Sequence, residues 1–155
     1  MFLYGRLVEW LKTSVLKGVT LMYLSLQGNF GLGKAIEYFT SHQITVCLPL
    51  NDTQKYDLVA DIDGCLKKVQ VKTTRHKKST SGFEVMLRNC GGASGKCNIR
   101  HFDKNESDYV FVYTLEERMY LIPTDVIDSV SSITVGKKYS QYEVFVKPFS
   151  ALVDD

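Results

Sequence analysis

The sequence predicts one domain that mixes helices with strands, and three observations carry that expectation. Its 155 residues are 45% hydrophobic and 12% aromatic, enough apolar material for a single packed core and too much for a disordered chain. Three prolines and eleven glycines leave no low-complexity linker between two folding units. Apolar residues recur every fourth position near the N-terminus and alternate further on, which are the helical and the extended signatures in turn. One unit over 1–155 is expected, with an N-terminal helical appendage (1–21), a core (22–127) and a C-terminal strand and tail (128–155).

Each element follows from local chemistry. Leu3, Leu7, Leu11 and Val15 form one apolar stripe on a helix. The apolar run from Val15 to Leu26 is interrupted by Lys17 and Gly18 and preceded by Arg6, Glu9 and Lys12, which argues against a membrane span or a secretion signal. Met22 is an alternative start. Gly31 to Ser41 reads as a short helix that buries Ile36 and Phe39, with Gly28, Gly31 and Gly33 loosening its start. Strands are expected over Ile44 to Leu50, Tyr56 to Ile62, Cys65 to Thr74, Phe83 to Arg88, Tyr109 to Thr114, Met119 to Ile122 and Tyr142 to Val146, with one helical turn at Thr124 to Ile127. The four cysteines, Cys47, Cys65, Cys90 and Cys97, are irregularly spaced, which points to a reducing, cytoplasmic setting.

The net charge of +2 conceals a segregation. The stretch from Leu66 to His101 carries Lys67, Lys68, Lys72, Arg75, Lys77, Lys78, Arg88, Lys96 and Arg100 against Glu84 alone, a local +8, while the remainder of the chain is −6. Such a strip attracts a polyanion, because each Lys or Arg that neutralises a phosphate releases condensed counterions. Lys68, Arg75, Lys77, Lys78, Arg88, Lys96 and Arg100 are the candidate DNA-binding residues. A solvated basic face is the plainer reading of the same charges.

The dipeptide Asp63-Gly64 between two alternating runs is the strongest short-range hairpin signal, a two-residue type I′ turn. That turn pairs positions whose numbers sum to 127 and sets Asp57 opposite Gln70. Alternation then collects Leu58, Ala60, Ile62, Cys65, Val69 and Val71 on one side and Asp57, Gln70 and Lys72 on the other. Opposed Cβ atoms lie about 5 Å apart, which lets a carboxylate and an amide oxygen share one cation. The ammonium of Lys72 projects from two residues along the same strand.

This D-x12-Q-x-K arrangement, with a basic segment after it, resembles the PD-(D/E)XK nuclease superfamily, with Gln70 replacing the second acid. Gly28-Asn29-Phe30-Gly31, Lys55-Tyr56-Asp57-Leu58-Val59, Val69-Gln70-Val71-Lys72-Thr73 and Tyr120-Leu121-Ile122-Pro123 resemble the cyanobacterial group I intron homing endonuclease branch. The resemblance covers roughly Gln27 to Ile127. It implies an α/β, restriction-endonuclease-like core with a mixed central β-sheet flanked by helices. It also implies Mg²⁺-dependent (or Mn²⁺-dependent) cleavage of double-stranded DNA by a homo-oligomer, a dimer or a dimer of dimers. The implied catalytic residues are Asp57, Gln70 and Lys72, and the implied metal set is Asp57, Gln70, Val71 and Glu37. Relatives commonly carry a glutamate directly after the second glycine of the first stretch. Leu32 stands there, and Glu37 lies about 140° further round the helix.

Phosphodiester hydrolysis needs a metal to polarise the phosphoryl oxygen and activate water, with a cation beside the developing charge. Asp57, Gln70 and Lys72 have those chemistries. Gly28-x4-Gly33-Lys34 lacks the hydroxyl of a phosphate-binding loop, because Ala35 occupies that place, so no nucleotide cofactor is expected. Cys90-x6-Cys97-x3-His101 matches no tight zinc spacing. A sequence-specific homing endonuclease is therefore the leading expectation. The alternatives are a restriction or junction-resolving nuclease of the same fold, or a DNA-binding module weakened in catalysis.

Overall fold

Val110 and Val112 point to one side of their strand and Phe111 and Tyr113 to the other, and all four are buried. A strand with two buried faces belongs in the middle of a sheet covered on both sides. That strand organises the computed structural model, which describes residues 26–51, 53–80, 82–91 and 98–152. The appendage over 1–21, Lys96 and Cys97 lie outside the described residues.

A helix, α1, covers residues 26–41. It is followed by β1 (Val46–Cys47), β2 (Leu58–Ile62), β3 (Cys65–Thr74), β4 (Lys77–Ser79), β5 (Gly82–Met86), β6 (Asn89–Gly91), β7 (Asn98–Arg100), β8 (Tyr109–Thr114), β9 (Met119–Pro123), β10 (Ser132–Val135) and β11 (Glu143–Val144). Short 3₁₀ turns occupy Thr124–Val126, Lys137–Tyr142 and Phe149–Leu152. The central sheet runs β1-β2-β3-β8-β9-β11. Its β3–β8 pair is parallel and the other pairs are antiparallel, so the sheet is mixed.

On one face, α1 packs Ala35, Tyr38 and Phe39 against Leu58, Val69 and Phe111. The Tyr38 and Phe39 rings lie 5.8 and 6.3 Å from that of Phe111, within the range of favourable aromatic pairing. On the other face, the cover comes from a three-stranded antiparallel sheet, β10-β5-β4, which brings Phe83, Val85, Ile133 and Val135 onto Val110, Val112, Tyr120 and Ile122. The mixed sheet and its helix match the expected α/β core. Among the described residues the second flank is β-structure rather than a helix.

Two boundaries differ from the sequence reading for physical reasons. The helix begins at or before residue 26 instead of at Gly31. Gly28 and Gly33 face open space, whereas a Cβ at Gly31 would overlap the Thr73 hydroxyl. The missing side chain lets the helix cross β3 closely, and that packing overrides a propensity cost of about 1 kcal/mol per glycine. At the other end, Ile133, Val135 and Tyr139 are buried in the same cluster as Val110, so the apolar core continues past residue 127. Among the described residues no helix is long and apolar enough to cross a membrane.

Candidate active site

The hairpin has the register that its turn dictates. Asp63 and Gly64 both adopt positive φ, 53° and 78°, as a type I′ turn requires, and Leu58 faces Val69 while Ile62 faces Cys65. Leu58, Ala60 and Val69 are fully buried under α1. Cys65 departs from that pattern by being exposed, since it sits at the turn beyond the reach of the helix.

Asp57 immediately precedes β2 and extends the ladder through its amide, which donates to the Val69 carbonyl at 2.9 Å. Its Oδ2 accepts the Val71 N–H at 2.6 Å. The carboxylate is thus pinned to the main chain between Gln70 and Lys72. Gln70, 9% exposed, and the half-buried Lys72 lie on the face of β3 away from α1. Asp57 retains an exposed edge, yet desolvation pushes its carboxyl pKa up, against the opposing pull of the Val71 hydrogen bond and the Lys72 charge. Burial likewise lowers the Lys72 pKa, against the Asp57 charge. Each ion is therefore held in surroundings that disfavour it, with the other as a counter-charge. Such an arrangement is typical of functional sites.

Asp57 and Gln70 offer two oxygen donors of the kind a hard divalent cation takes. Asp57 contributes a carboxylate whose charge burial leaves under-compensated, and Gln70 a neutral amide oxygen on the neighbouring strand. Glu37 is not brought to this place. It pairs with Lys34 at 2.8 Å, its charge acts on Lys34 and Tyr113, and it is absent among the charges that shift Asp57 or Lys72. Leu32, at the position of the expected glutamate, is partly buried against the cluster of Leu58 and Val69. It is a packing residue here, not the occupant of a polar cleft.

The basic strip divides in two. Lys77 pairs with Glu116 at 2.5 Å, Lys78 with Glu84 at 3.2 Å, and Arg100 with Glu106. Glu116 and Glu106, outside the strip, therefore compensate part of its +8, which a count along the chain cannot reveal. Arg75 and Arg88 are exposed and have no ion-pair partner among the described residues. Lys68 holds its ammonium 5.7 Å from the Tyr56 ring centroid. The sequence reading missed Gln27, which donates from α1 to the Thr73 carbonyl at 2.9 Å and lines a groove with Lys72, Arg75 and His76. Its place at the start of the Gly28-Asn29-Phe30-Gly31 stretch was the available signal.

A family model described as PD-(D/E)XK endonuclease matches residues 23–144. The solved structure of a bacterial homing endonuclease, I-Ssp6803I, resembles this one with a TM-score of 0.63 and 29% sequence identity, over 82% of this chain and 85% of that one. A search of curated proteins finds no match.

Proposed function

The chain belongs to the PD-(D/E)XK endonuclease family and is a DNA endonuclease, and from that premise we propose a metal-dependent, sequence-specific enzyme of the homing type that hydrolyses phosphodiester bonds of double-stranded DNA. The observation that carries the proposal is the pinned Asp57 carboxylate with Lys72 within its field, on adjoining strands of one register-locked hairpin. Nucleases of this family generally use divalent metal ions. Asp57 and Gln70 would hold the ion, with Val71 keeping the carboxylate oriented through its N–H. When bound, a divalent cation polarises a phosphoryl oxygen and lowers the pKa of a water. Lys72 orients that water and offsets the charge that builds on the phosphoryl group, an interaction strengthened by its partly dehydrated surroundings. One such site serves one strand, so a double-strand break requires at least two copies, as a dimer or a dimer of dimers.

The test is duplex cleavage titrated with Mg²⁺ and Mn²⁺. Asp57→Ala is expected to reduce the rate by about 10³-fold or more, and Gln70→Ala, which removes a neutral ligand, by less. Full metal-dependent cleavage by a clean Asp57→Ala preparation would overturn the site assignment. Tight duplex binding without cleavage by the unaltered chain would instead favour a DNA-binding module.

A further inference from the structure

At the N-terminal ends of the parallel pair β3 and β8, a polar cleft of about 450 Å³ opens between the first residues of β3, the loop before β8 and the 3₁₀ turn after β9. Lys67, Lys68 and Lys104 line it, together with Ser107, Asp108 and Asp125. Neither aspartate cancels the lysines directly. The Asp108 carboxylate accepts the Lys68 amide N–H at 2.8 Å. Lys104 Nζ donates to the Asp125 carbonyl at 3.2 Å, leaving two of its three protons for another acceptor. Ser107 is only 5% exposed, and its Oγ has no hydrogen-bond partner among the described residues. A buried hydroxyl without a partner is uncommon and calls for an explanation.

The position of the cleft relative to Asp57 gives it meaning. Lys68 immediately precedes Val69, whose carbonyl accepts the Asp57 amide N–H at 2.9 Å. The Lys68 ammonium sits over Tyr56, the residue before Asp57, and so connects the cleft to the active hairpin. We propose that this cleft is a second phosphate subsite that takes a DNA backbone phosphodiester within a few nucleotides of the one cleaved, bound by Lys104 and Lys67 with Ser107 beneath. Lys67, Lys104 and Ser107 thereby join the DNA surface, and the last two lie outside the basic strip of the sequence. Two anchored phosphates would fix the register of the strand across Asp57, whereas one leaves it free to swivel.

The proposal rests on the reading of the chain as a duplex-cutting nuclease, so its test is made on binding alone. In an Asp57→Asn background, Kd for duplex DNA is measured against salt concentration, with and without Lys104→Ala and Ser107→Ala. Removing one phosphate partner through Lys104→Ala lowers the slope of log K against log salt by about 0.9 and weakens binding several-fold at low salt. Ser107→Ala weakens binding by a smaller factor with an unchanged slope and no loss of thermal midpoint, because the hydroxyl it removes has no partner in the fold. An unaltered slope in Lys104→Ala, with duplex binding intact, overturns the subsite and leaves the nuclease reading standing. Absence of duplex binding in the parent defeats both.

Discussion

The two sides of β3 stand in contrast. Toward α1 the strand presents Val69, Val71 and Thr73, packed so closely that the helix tolerates only a hydrogen at position 31. Away from α1 it presents Gln70 and Lys72, where burial opposes the charge that the site needs. One side of the strand stabilises the fold, and the other bears the burial cost of the groups proposed to act on the phosphodiester.

The largest effect that would break this contrast is expected at Lys72. Lys72→Met should lower cleavage by about 10³-fold or more. It should also change the pH dependence of folding. Burial holds the Lys72 pKa below 10.5 in the folded chain, so between the lowered value and 10.5 the unfolded state binds more protons and stability rises with pH. Thermal midpoints measured across alkaline pH should lose that rise in the methionine variant. A slope that persists would place the charge cost elsewhere.

The helix-facing side is probed at Gly31. Gly31→Ala inserts a methyl group into the Thr73 hydroxyl and should cost about 1–3 kcal/mol, as overpacking does. Thr73→Ala in the same chain should recover part of the loss, since the Thr73 Cβ at 3.2 Å and Val71 Cγ1 at 3.4 Å would then be the nearest neighbours of the new methyl. Denaturant unfolding of the four chains in a double-mutant cycle measures the coupling, and strictly additive effects would show that the helix does not depend on this close approach.

The smallest effect lies where the polar side continues beyond the strand. Arg75 and Arg88 have no ion-pair partner among the described residues, whereas Lys77 and Lys78 have Glu116 and Glu84. Arg75→Ala with Arg88→Ala should flatten the salt dependence of DNA binding by about 0.9 for each phosphate left without its arginine. Lys77→Ala with Lys78→Ala should flatten it less, because phosphates must first compete with the two glutamates. Equal slopes would mean that those carboxylates are displaced without cost.

The two sides of β3 also differ in how far the sequence alone revealed them. Asp63-Gly64 admits a turn that needs two positive φ angles, and that single constraint propagated a correct register as far as Leu58 opposite Val69, next to Asp57. Local chemistry was enough there. It was not enough for β10, whose Ser-Ile-Thr-Val becomes a strand through pairing with β5, far away in sequence. Nor could spacing alone show that Glu37 turns to Lys34, that Leu32 joins an apolar cluster, or that acids from other loops shield part of the basic strip. The glycines misled for a related reason. Read as breakers of a helix, they include one that permits its closest approach to the sheet.

Among the described residues the β6–β7 ribbon pairs only with itself, and both of its ends are stapled to the same short segment. The amides of Leu87 and Arg88 donate to the Ser131 carbonyl, and that of Phe102 donates to the Val130 carbonyl. Both ends are thus held by residues 130 and 131. The ribbon, bracketed by basic Arg88 and Arg100, is therefore anchored apart from the hairpin that carries Asp57 and Lys72. For engineering, the same bracket marks where a library of exchanged ribbons would be grafted without disturbing that hairpin.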